Sequence, residues 1–253
     1  MHPILLKLGP ATIYSYGAML VAAFLIATRL AVLAASRLPP GVGAMSPEQT
    51  LDMSCWSLLG GIVGGRLFYV ALQPDLFLQT PLEVVALWHG GLVWYGGFLG
   101  GVFAAWLYAR SQRLQALAAL EQLIPFVALG HAIGRVGCFL NGCCYGRPTQ
   151  TWCGVVFPGH DTPVLPTQLF ETLGLLIIYA ALRILQQRST GSRSPGRILG
   201  WYLVSYAVLR FFLEFLRGDQ TAWWLGLTLQ QTISIGLFFG GTLLLQRWVR
   251  VKA

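Results

Sequence analysis

Long apolar segments alternate with short polar connections along almost the whole chain. A membrane-spanning helix needs about 20 predominantly apolar residues. Seven segments meet that length, at about residues 12–34, 51–73, 85–109, 117–140, 165–187, 198–217 and 227–247. The pattern predicts an all-α polytopic membrane protein with seven transmembrane helices. Because the connections are short, we expect residues 1–253 to form a single integral membrane domain.

The polar connections predict where the chain leaves the bilayer. The longest runs from Arg147 to Pro166 and predicts a small head outside the cytoplasm, within about residues 141–166, that contains a short hairpin. The first apolar run is longer than the core of a typical signal peptide and no basic cluster precedes it, so we expect a retained first span.

Composition and charge support a membrane protein and predict its orientation. Hydrophobic residues make up 55% of the chain and charged residues 10%, against about 25% charged in soluble domains. The net charge of +8 is better explained by topology than by nucleic-acid binding. With the N-terminus outside and the C-terminus inside, ten of the seventeen Lys and Arg residues lie on the cytoplasmic side, as the positive-inside rule requires. These ten are Arg37, Arg110, Arg113, Arg183, Arg188, Arg193, Arg197, Arg247, Arg250 and Lys252.

Glycine recurs at helical spacing in several predicted spans. The pairs Gly60/Gly64 and Gly97/Gly101 have the spacing that lets two membrane helices pack closely. The run from His89 to Gly101 is too rich in glycine for packing alone, because each glycine costs about 1 kcal/mol in a helix interior. We therefore expect a broken or re-entrant stretch there, buried in protein or lining a cavity.

Ionisable residues inside the predicted spans are the strongest functional signal. Arg210 and Glu214 are four residues apart on one helical face, and Arg217 follows on a similar face. Arg135 lies in the outer half of the fourth span, at the same depth as this trio. Arginine stays charged when buried and matches phosphate oxygens bidentately, so the sequence predicts a site for an anionic lipid. A structural ion pair between Arg210 and Glu214 remains the alternative, whereas Arg135 has no obvious carboxylate partner in its own helix.

The cysteines and histidines offer weaker hypotheses. The spacing of Cys138, Cys143, Cys144 and Cys153 does not match the CxxC motifs of zinc or thiol-redox sites, so neither a metal nor another cofactor is expected. Their external position permits a disulfide between Cys143 or Cys144 and Cys153. The two histidines in the spans, His89 and His131, are candidates for a general base or for hydrogen-bonded packing.

Several motifs occur in one order and resemble one family. They are Tyr16-Gly17, Gly65-Arg66, the run from Gly90 to Gly97, Gly134-Arg135 through Asn141-Gly142, Pro166 through Glu171, and Tyr206 with Arg210, Glu214 and Arg217. Together they resemble the bacterial phosphatidylglycerol–prolipoprotein diacylglyceryl transferases. The resemblance implies an inner-membrane enzyme with a periplasmic head. Such an enzyme transfers diacylglycerol from phosphatidylglycerol to the lipobox cysteine of a prolipoprotein, forms a thioether and releases glycerol phosphate.

The resemblance also implies roles for individual residues. Arg135 matches the arginine that contacts the lipid head group, and Gly146 matches the glycine that closes the same signature loop. Arg210 and Glu214 match an essential pair in the sixth span, and Tyr16 matches a functionally important tyrosine near the first span. We expect Arg210, Glu214, Tyr95 and Tyr16 to be catalytic and Arg135, Asn141, Gly146 and Arg66 to bind substrate, in a monomer that needs only its two substrates and the bilayer.

Three positions depart from the best-studied members of the family. Tyr95 replaces a histidine, Cys138 replaces an asparagine and Cys143 replaces an acidic residue. A histidine base at the first position is therefore in doubt, and Glu214 or Tyr95 acting through a relay is the alternative. Rival functions are an inactive paralogue, another phospholipid-processing enzyme, and a lipid transporter, although the inverted repeats typical of transporters are not visible.

Overall fold

The protein is mostly helical, as the hydrophobic pattern predicts. The computed structural model describes residues 3–8, 11–38, 44–158, 161–188, 195–218, 220–221, 223 and 226–252. Two strands come first, β1 (Ile4–Leu8) and β2 (Ala11–Tyr14). The helices are α1 (Ser15–Ser36), α2 (Pro47–Leu72), α3 (Pro74–Gln79), α4 (Trp94–Ser111), α5 (Ala116–Asn141), α6 (Thr167–Arg188), α7 (Arg197–Glu214) and α8 (Leu229–Lys252). Two short 3₁₀ turns, Pro81–Val85 and Leu87–His89, separate α3 from α4.

The membrane character of the chain rests on its long apolar helices. Each predicted span coincides with one long helix, and four of these helices, α1, α2, α5 and α6, are long and apolar enough to cross a bilayer. This number reflects helix length and composition within the described residues only. Seven crossings and an external head stay predictions.

Two predicted boundaries were wrong. Residues 11–14 form β2 rather than the start of the first span, and β2 pairs antiparallel with β1 through registers such as Lys7 with Thr12. The third predicted span begins at Trp94 instead of residue 85. Gly90 and Gly91 have φ values of 80° and 79°, a left-handed conformation that suits glycine and cannot continue a right-handed helix.

The chain divides into two compact units, one of residues 31–122 and one of residues 1–30 and 123–253. In the first unit, α2 and α4 pack along their glycines. A Cβ on Gly60 would lie 2.7 Å from the Gly100 carbonyl oxygen, and a Cβ on Gly64 would lie 2.8 Å from the Gly100 Cα. The close packing predicted from the glycine spacing is confirmed here. The break predicted for the glycine-rich run is correct before Trp94 and wrong after it.

In the second unit, α5, α6 and α7 enclose an apolar core. Ala128, Ile178, Leu182 and Ile198 are buried together, and Tyr202, Tyr206 and Leu209 pack against them. On the other side of α7, a Cβ on Gly241 of α8 would lie 2.9 Å from the Gly200 carbonyl oxygen, so these two helices approach closely. The packing of this unit brings the charged faces of α5, α6 and α7 together next to the apolar core.

The polar connection 142–166 contains hairpin-like pairing. Val155 and Val164 exchange two backbone hydrogen bonds of 3.0 Å each, and Pro148 also bridges Val164. This agrees with the short hairpin predicted for the stretch.

Candidate active site

Glu171 of α6 joins two arginines that lie on different helices. Its Oε1 is 3.0 Å from Nη2 of Arg135 on α5, and its Oε2 is 3.8 Å from Nη1 of Arg210 on α7. The Glu171 side chain is 3% exposed, so this charge is removed from solvent. A buried carboxylate is stable only when it is paired, and here it has two cationic partners. The sequence predicted that Arg135 and Arg210 lie at one depth, and Glu171 is what connects them.

Glu214 is the second carboxylate of this cluster. Its Oε2 lies 2.8 Å from Arg210 Nη2, one helical turn earlier on α7, and its Oε1 accepts a hydrogen bond of 2.9 Å from the Thr228 hydroxyl. Thr228 precedes α8 and exchanges hydrogen bonds with Gln231, which is a capping-box arrangement. The start of α8 therefore fixes the hydroxyl that holds Glu214. The predicted Arg210–Glu214 pair is present and fully enclosed.

His131 and Tyr206 complete the surroundings of Glu171. His131 Nε2 lies 3.7 Å from Glu171 Oε1, and the Tyr206 hydroxyl donates to the same oxygen at 3.3 Å. The two rings are 5.3 Å apart between centroids. The imidazole stands four residues before Arg135 on α5, so both side chains lie on one helical face. Of the two candidate histidines, His131 is the one beside Arg135 and Arg210. His89 instead pairs with Glu83 on an exposed surface.

The cluster is electrically balanced but leaves a donor unused. Two arginines face two glutamates, so the formal charges sum to zero with neutral His131. Arg135 Nε is nevertheless buried without a hydrogen-bond partner in the described part of the chain. An unpaired buried donor costs about 1–3 kcal/mol, which a bound anion would recover.

Glu171 is the central residue of this charged cluster, and the sequence did not assign it to the site. The available signal was its position in the motif Pro166 to Glu171, where an acidic residue follows one turn after a helix start. Proline is favoured at the start of a helix, and α6 begins at Thr167 directly after Pro166. The motif thus has two functions in the fold. It starts α6, and it projects a carboxylate from the second turn toward α5 and α7.

The first turn of α6 also fixes the loop that follows α5. The Thr167 hydroxyl donates to the Cys144 carbonyl oxygen at 3.0 Å, and Gln168 Nε2 donates to the Cys143 carbonyl oxygen at 2.6 Å. Gln168 is 1% exposed, so this contact is shielded from solvent. The loop and the charged cluster are therefore held by the same short segment of α6.

Three cysteine side chains converge where α5 ends. The Sγ atoms of Cys138, Cys143 and Cys144 all lie within 4.8 Å of one another. All five cysteines are free thiols, so the disulfide that the sequence permitted with Cys153 is not formed. Hydrogen bonds from Cys138 and Cys143, and then the positive charges of Arg135 and Arg217, lower the pKa of the Cys144 thiol.

Tyr16 and Asn141 lie near this thiol group. Tyr16 is in the first turn of α1, and its ring would be 3.4 Å from a Cβ on Gly137 of α5. The Arg135 guanidinium and the three thiols act electrostatically on its phenol. Asn141 is the exposed last residue of α5, and its side chain reaches the Cys143 thiol.

The chain leaves room only for glycine at position 146. Three chain segments meet there, because Gly146 donates its N–H to the Leu165 carbonyl oxygen at 2.8 Å and bridges Arg217 in an antiparallel pair. A Cβ would lie 2.6 Å from the Leu216 carbonyl oxygen and 2.8 Å from both Leu165 Cβ and Thr167 Cγ2. No side chain fits without moving backbone. Arg217, predicted inside the sixth span, lies three residues past the end of α7.

Arg66 and Tyr95 belong to the unit of residues 31–122. The Arg66 side chain donates to five backbone carbonyl oxygens, those of Glu83, Val84, Ala86, Gly90 and Gly91. A guanidinium has five N–H donors, so the described contacts use all of them. Arg66 thus anchors the turns before α4, and its substrate-binding role stays a prediction. Tyr95 is 41% exposed and contacts Trp94 edge to face. Its catalytic role likewise stays a prediction.

Comparison with known proteins gives one consistent family. The sequence model of the family described as prolipoprotein diacylglyceryl transferase matches residues 3–247. Three proteins named phosphatidylglycerol–prolipoprotein diacylglyceryl transferase illustrate the similarity. That of Nitrosomonas europaea is 34% identical over 250 residues, which cover 96% of this chain and 88% of the relative. That of Nitrosospira multiformis is 35% identical over 260 residues, which cover 100% of this chain and 88% of the relative. That of Nitratidesulfovibrio vulgaris is 35% identical over 257 residues, which cover 98% of this chain and 94% of the relative.

Proposed function

The chain belongs to the prolipoprotein diacylglyceryl transferase family, and we propose on that premise that it transfers diacylglycerol from phosphatidylglycerol to the lipobox cysteine of prolipoproteins. The observation that carries the residue assignment is the meeting of Arg135 and Arg210 at one buried carboxylate, Glu171. Two guanidinium groups held in a low-dielectric site suit a substrate whose charge is a phosphodiester.

The chemistry requires stabilisation of a leaving phosphate. The substrate thiol sulfur forms a bond to the glyceryl carbon, the bond between that carbon and the phosphate oxygen breaks, and the oxygen leaves with the electron pair as glycerol phosphate. Negative charge grows on that oxygen in the transition state. Positioned donors aimed at developing charge supply the largest single contribution in many enzymes. The buried arginines are the donors that we assign to this task.

Arg135 is the head-group contact in this proposal. Its Nη2 is held by Glu171, which fixes the plane of the guanidinium, while its buried Nε has no partner in the described residues. Arg210 is the second phosphate contact. Glu214 and Thr228 fix its position from the other side, and because Glu214 forms an ion pair with Arg210 and accepts from Thr228 we assign it an orienting role instead of a basic one.

The thiol proton needs an acceptor, and His131 is the residue that we assign. Its imidazole lies in the cluster beside Glu171, which can hold the charged form once the proton has moved. Imidazole is the side chain whose unperturbed pKa lies nearest neutral pH. This assignment replaces Glu214 and Tyr95 as the preferred base. Tyr16, Asn141 and Gly146 are proposed to shape the substrate site around the end of α5.

The arrangement in the membrane is also a proposal. We infer seven crossings, made by α1, α2 and α4 to α8, in a bacterial inner membrane with the N-terminus outside, the C-terminus in the cytoplasm and the connection 142–166 in the periplasm. The distribution of arginines between the connections supports this orientation. Reporter fusions at residue 155 and at the C-terminus should report opposite sides. The same side for both would overturn the topology. Sedimentation in detergent should give a monomer.

The transfer assay tests the assigned function directly. Purified chain in mixed micelles with phosphatidylglycerol should add diacylglycerol to a peptide that carries a lipobox cysteine. Replacing Arg135→Gln or Arg210→Gln should lower kcat by about 10²–10³-fold, the typical cost of losing one transition-state donor. The matched control is Arg188→Gln, because Arg188 is exposed at the end of α6. Transfer at the wild-type rate by either buried-arginine variant would overturn the site. An inert wild-type chain would indicate an inactive paralogue.

A further inference from the structure

We propose that Cys138, Cys143 and Cys144 form a binding site for one thiophilic metal ion, with Zn²⁺ as the probe that tests it. The proposal does not rest on the proposed transfer function. Its basis is the convergence of three thiols, whose Sγ atoms lie within 4.8 Å of one another. Zinc–sulfur bonds are about 2.3 Å long, so tetrahedral zinc holds its sulfur ligands about 3.8 Å apart. Small side-chain rotations would bring the three Sγ atoms from their present separations, within 4.8 Å, to the 3.8 Å or so that zinc requires.

The number and type of ligands select the class of metal. Thiolates are soft ligands that favour Zn²⁺ and Cu⁺ over Mg²⁺ or Ca²⁺. A disulfide would use two sulfurs at about 2 Å and leave the third without a function. The convergence of three sulfurs therefore fits a metal better than a disulfide. The sequence did not reveal this site. One of the three cysteines lies near the end of α5 and two lie in the loop that follows, and their spacing differs from the CxxC pattern of known metal sites.

The backbone around the thiols is built to hold them. Cys143 N–H donates to the Cys138 carbonyl oxygen at 3.1 Å, which folds the loop back onto the end of α5. Cys144 has φ of 63°, a left-handed conformation that costs a non-glycine residue about 1–2 kcal/mol. The hydrogen bonds from Thr167 and Gln168 to the Cys144 and Cys143 carbonyls keep it there. The loop is thus fixed by α6 before any metal binds.

The surrounding charge is suited to a thiolate complex. Three thiolates and one Zn²⁺ carry a net charge of −1, and binding releases protons from the thiols. Arg217 acts electrostatically on Cys144 and would balance that charge. Cys138 is buried and the other two thiols are half-buried, so a metal can reach the site from the loop side while one ligand stays shielded.

Zinc binding to the full-length protein, reduced and metal-free in detergent micelles, tests the proposal. We expect one Zn²⁺ per chain, and we expect Zn²⁺ to protect Cys138, Cys143 and Cys144 from maleimide labelling. Cys55 and Cys153 should label at an unchanged rate. Each of Cys138→Ser, Cys143→Ser and Cys144→Ser should weaken binding by more than the roughly 10–100-fold that the loss of an outer-shell partner costs. The control variants Cys55→Ser and Cys153→Ser should bind as the wild type does.

The outcome is decisive in either direction. No stoichiometric zinc, zinc binding that survives in Cys143→Ser, or equal protection of Cys55 would each overturn the site. A disulfide between two of the three cysteines in the freshly isolated, unreduced protein would overturn it as well. If a serine variant does not fold, as judged by its thermal unfolding, the protection pattern of the wild-type chain decides.

Discussion

Replacing Glu171→Gln should uncouple the two buried arginines. The amide keeps the shape of the side chain and an oxygen that can accept from Tyr206, but it removes the negative charge between Arg135 and Arg210. With an effective dielectric constant of about 20, the attractions at 3.0 Å and 3.8 Å are about 5.5 and about 4.4 kcal/mol. Most of this offsets the desolvation of the charges. The net cost of leaving a buried charge unpaired is about 3–5 kcal/mol.

This cost predicts two measurable effects. Thermal unfolding in detergent should shift downward by roughly 6–20 °C, from the scaling for soluble domains of about this size. The transfer rate at saturating phosphatidylglycerol should fall by about 10²-fold or more, because Arg135 loses its carboxylate partner and Arg210 is held by Glu214 alone. The matched control is Glu83→Gln, since Glu83 forms an exposed pair with His89, and surface pairs contribute about 0–1 kcal/mol.

A double variant separates lost pairing from general damage. Glu171→Gln combined with Arg135→Gln removes both charges of the shorter pair. Its unfolding shift should be smaller than the sum of the two single shifts, because partners in contact show coupling of about 0.5–3 kcal/mol. If Glu171→Gln unfolds at the wild-type temperature and transfers at the wild-type rate, the role given to this carboxylate is refuted. Strict additivity in the double variant would refute the pairing itself.

Three further substitutions test neighbouring assignments. His131→Gln should lower transfer near neutral pH and recover as pH rises toward about 8.5, where the substrate thiol ionises unaided; the same loss at every pH would exclude a basic role. Gly146→Ala should lower the unfolding free energy by about 1–3 kcal/mol by overpacking, whereas Gly236→Ala, with open space around it, should be neutral. Arg66→Gln should speed proteolysis of residues 81–93, because Arg66 anchors these turns, and it should leave the KM for phosphatidylglycerol unchanged. A raised KM with unchanged stability would instead support the substrate-binding role.

The sequence was sufficient for features that depend on neighbours along one helix. Apolar length located the helices, and the four-residue spacing of Arg210 and Glu214 placed them on one face, where the structure pairs them at 2.8 Å. The glycine spacing also predicted that α2 and α4 each pack closely against a neighbouring helix, although it did not identify the partner. The shared depth of Arg135 and Arg210 is a prediction from counting spans, and it agrees with their contacts to one carboxylate, Glu171. Each of these inferences needs only helix geometry.

Features that depend on contacts between helices were not accessible. Arg135 has no carboxylate one helical turn away on its own helix, and nothing in the sequence says that Glu171, on α6, faces it. Arg66 was assigned to substrate with the Gly65-Arg66 motif of the family resemblance, but a guanidinium can equally be satisfied by backbone carbonyls of a glycine-rich turn. The choice between these partners depends on a loop conformation that residue types do not determine. The thiol convergence was missed for the same reason.

The neutral balance of the cluster determines how an anionic lipid must enter it. Glu171 shares one charge between two arginines, and its longer contact, 3.8 Å to Arg210, is the weaker of the two. A phosphodiester that contacts both guanidinium groups competes with Glu171 and makes the site more negative, so binding is favoured only where unused donors such as Arg135 Nε are available. Glu171 is not free to move away from the two arginines. The first turn of its helix is fixed to the Cys143–Cys144 loop through Thr167 and Gln168. The position of that loop and the strength of the arginine site are therefore coupled through α6.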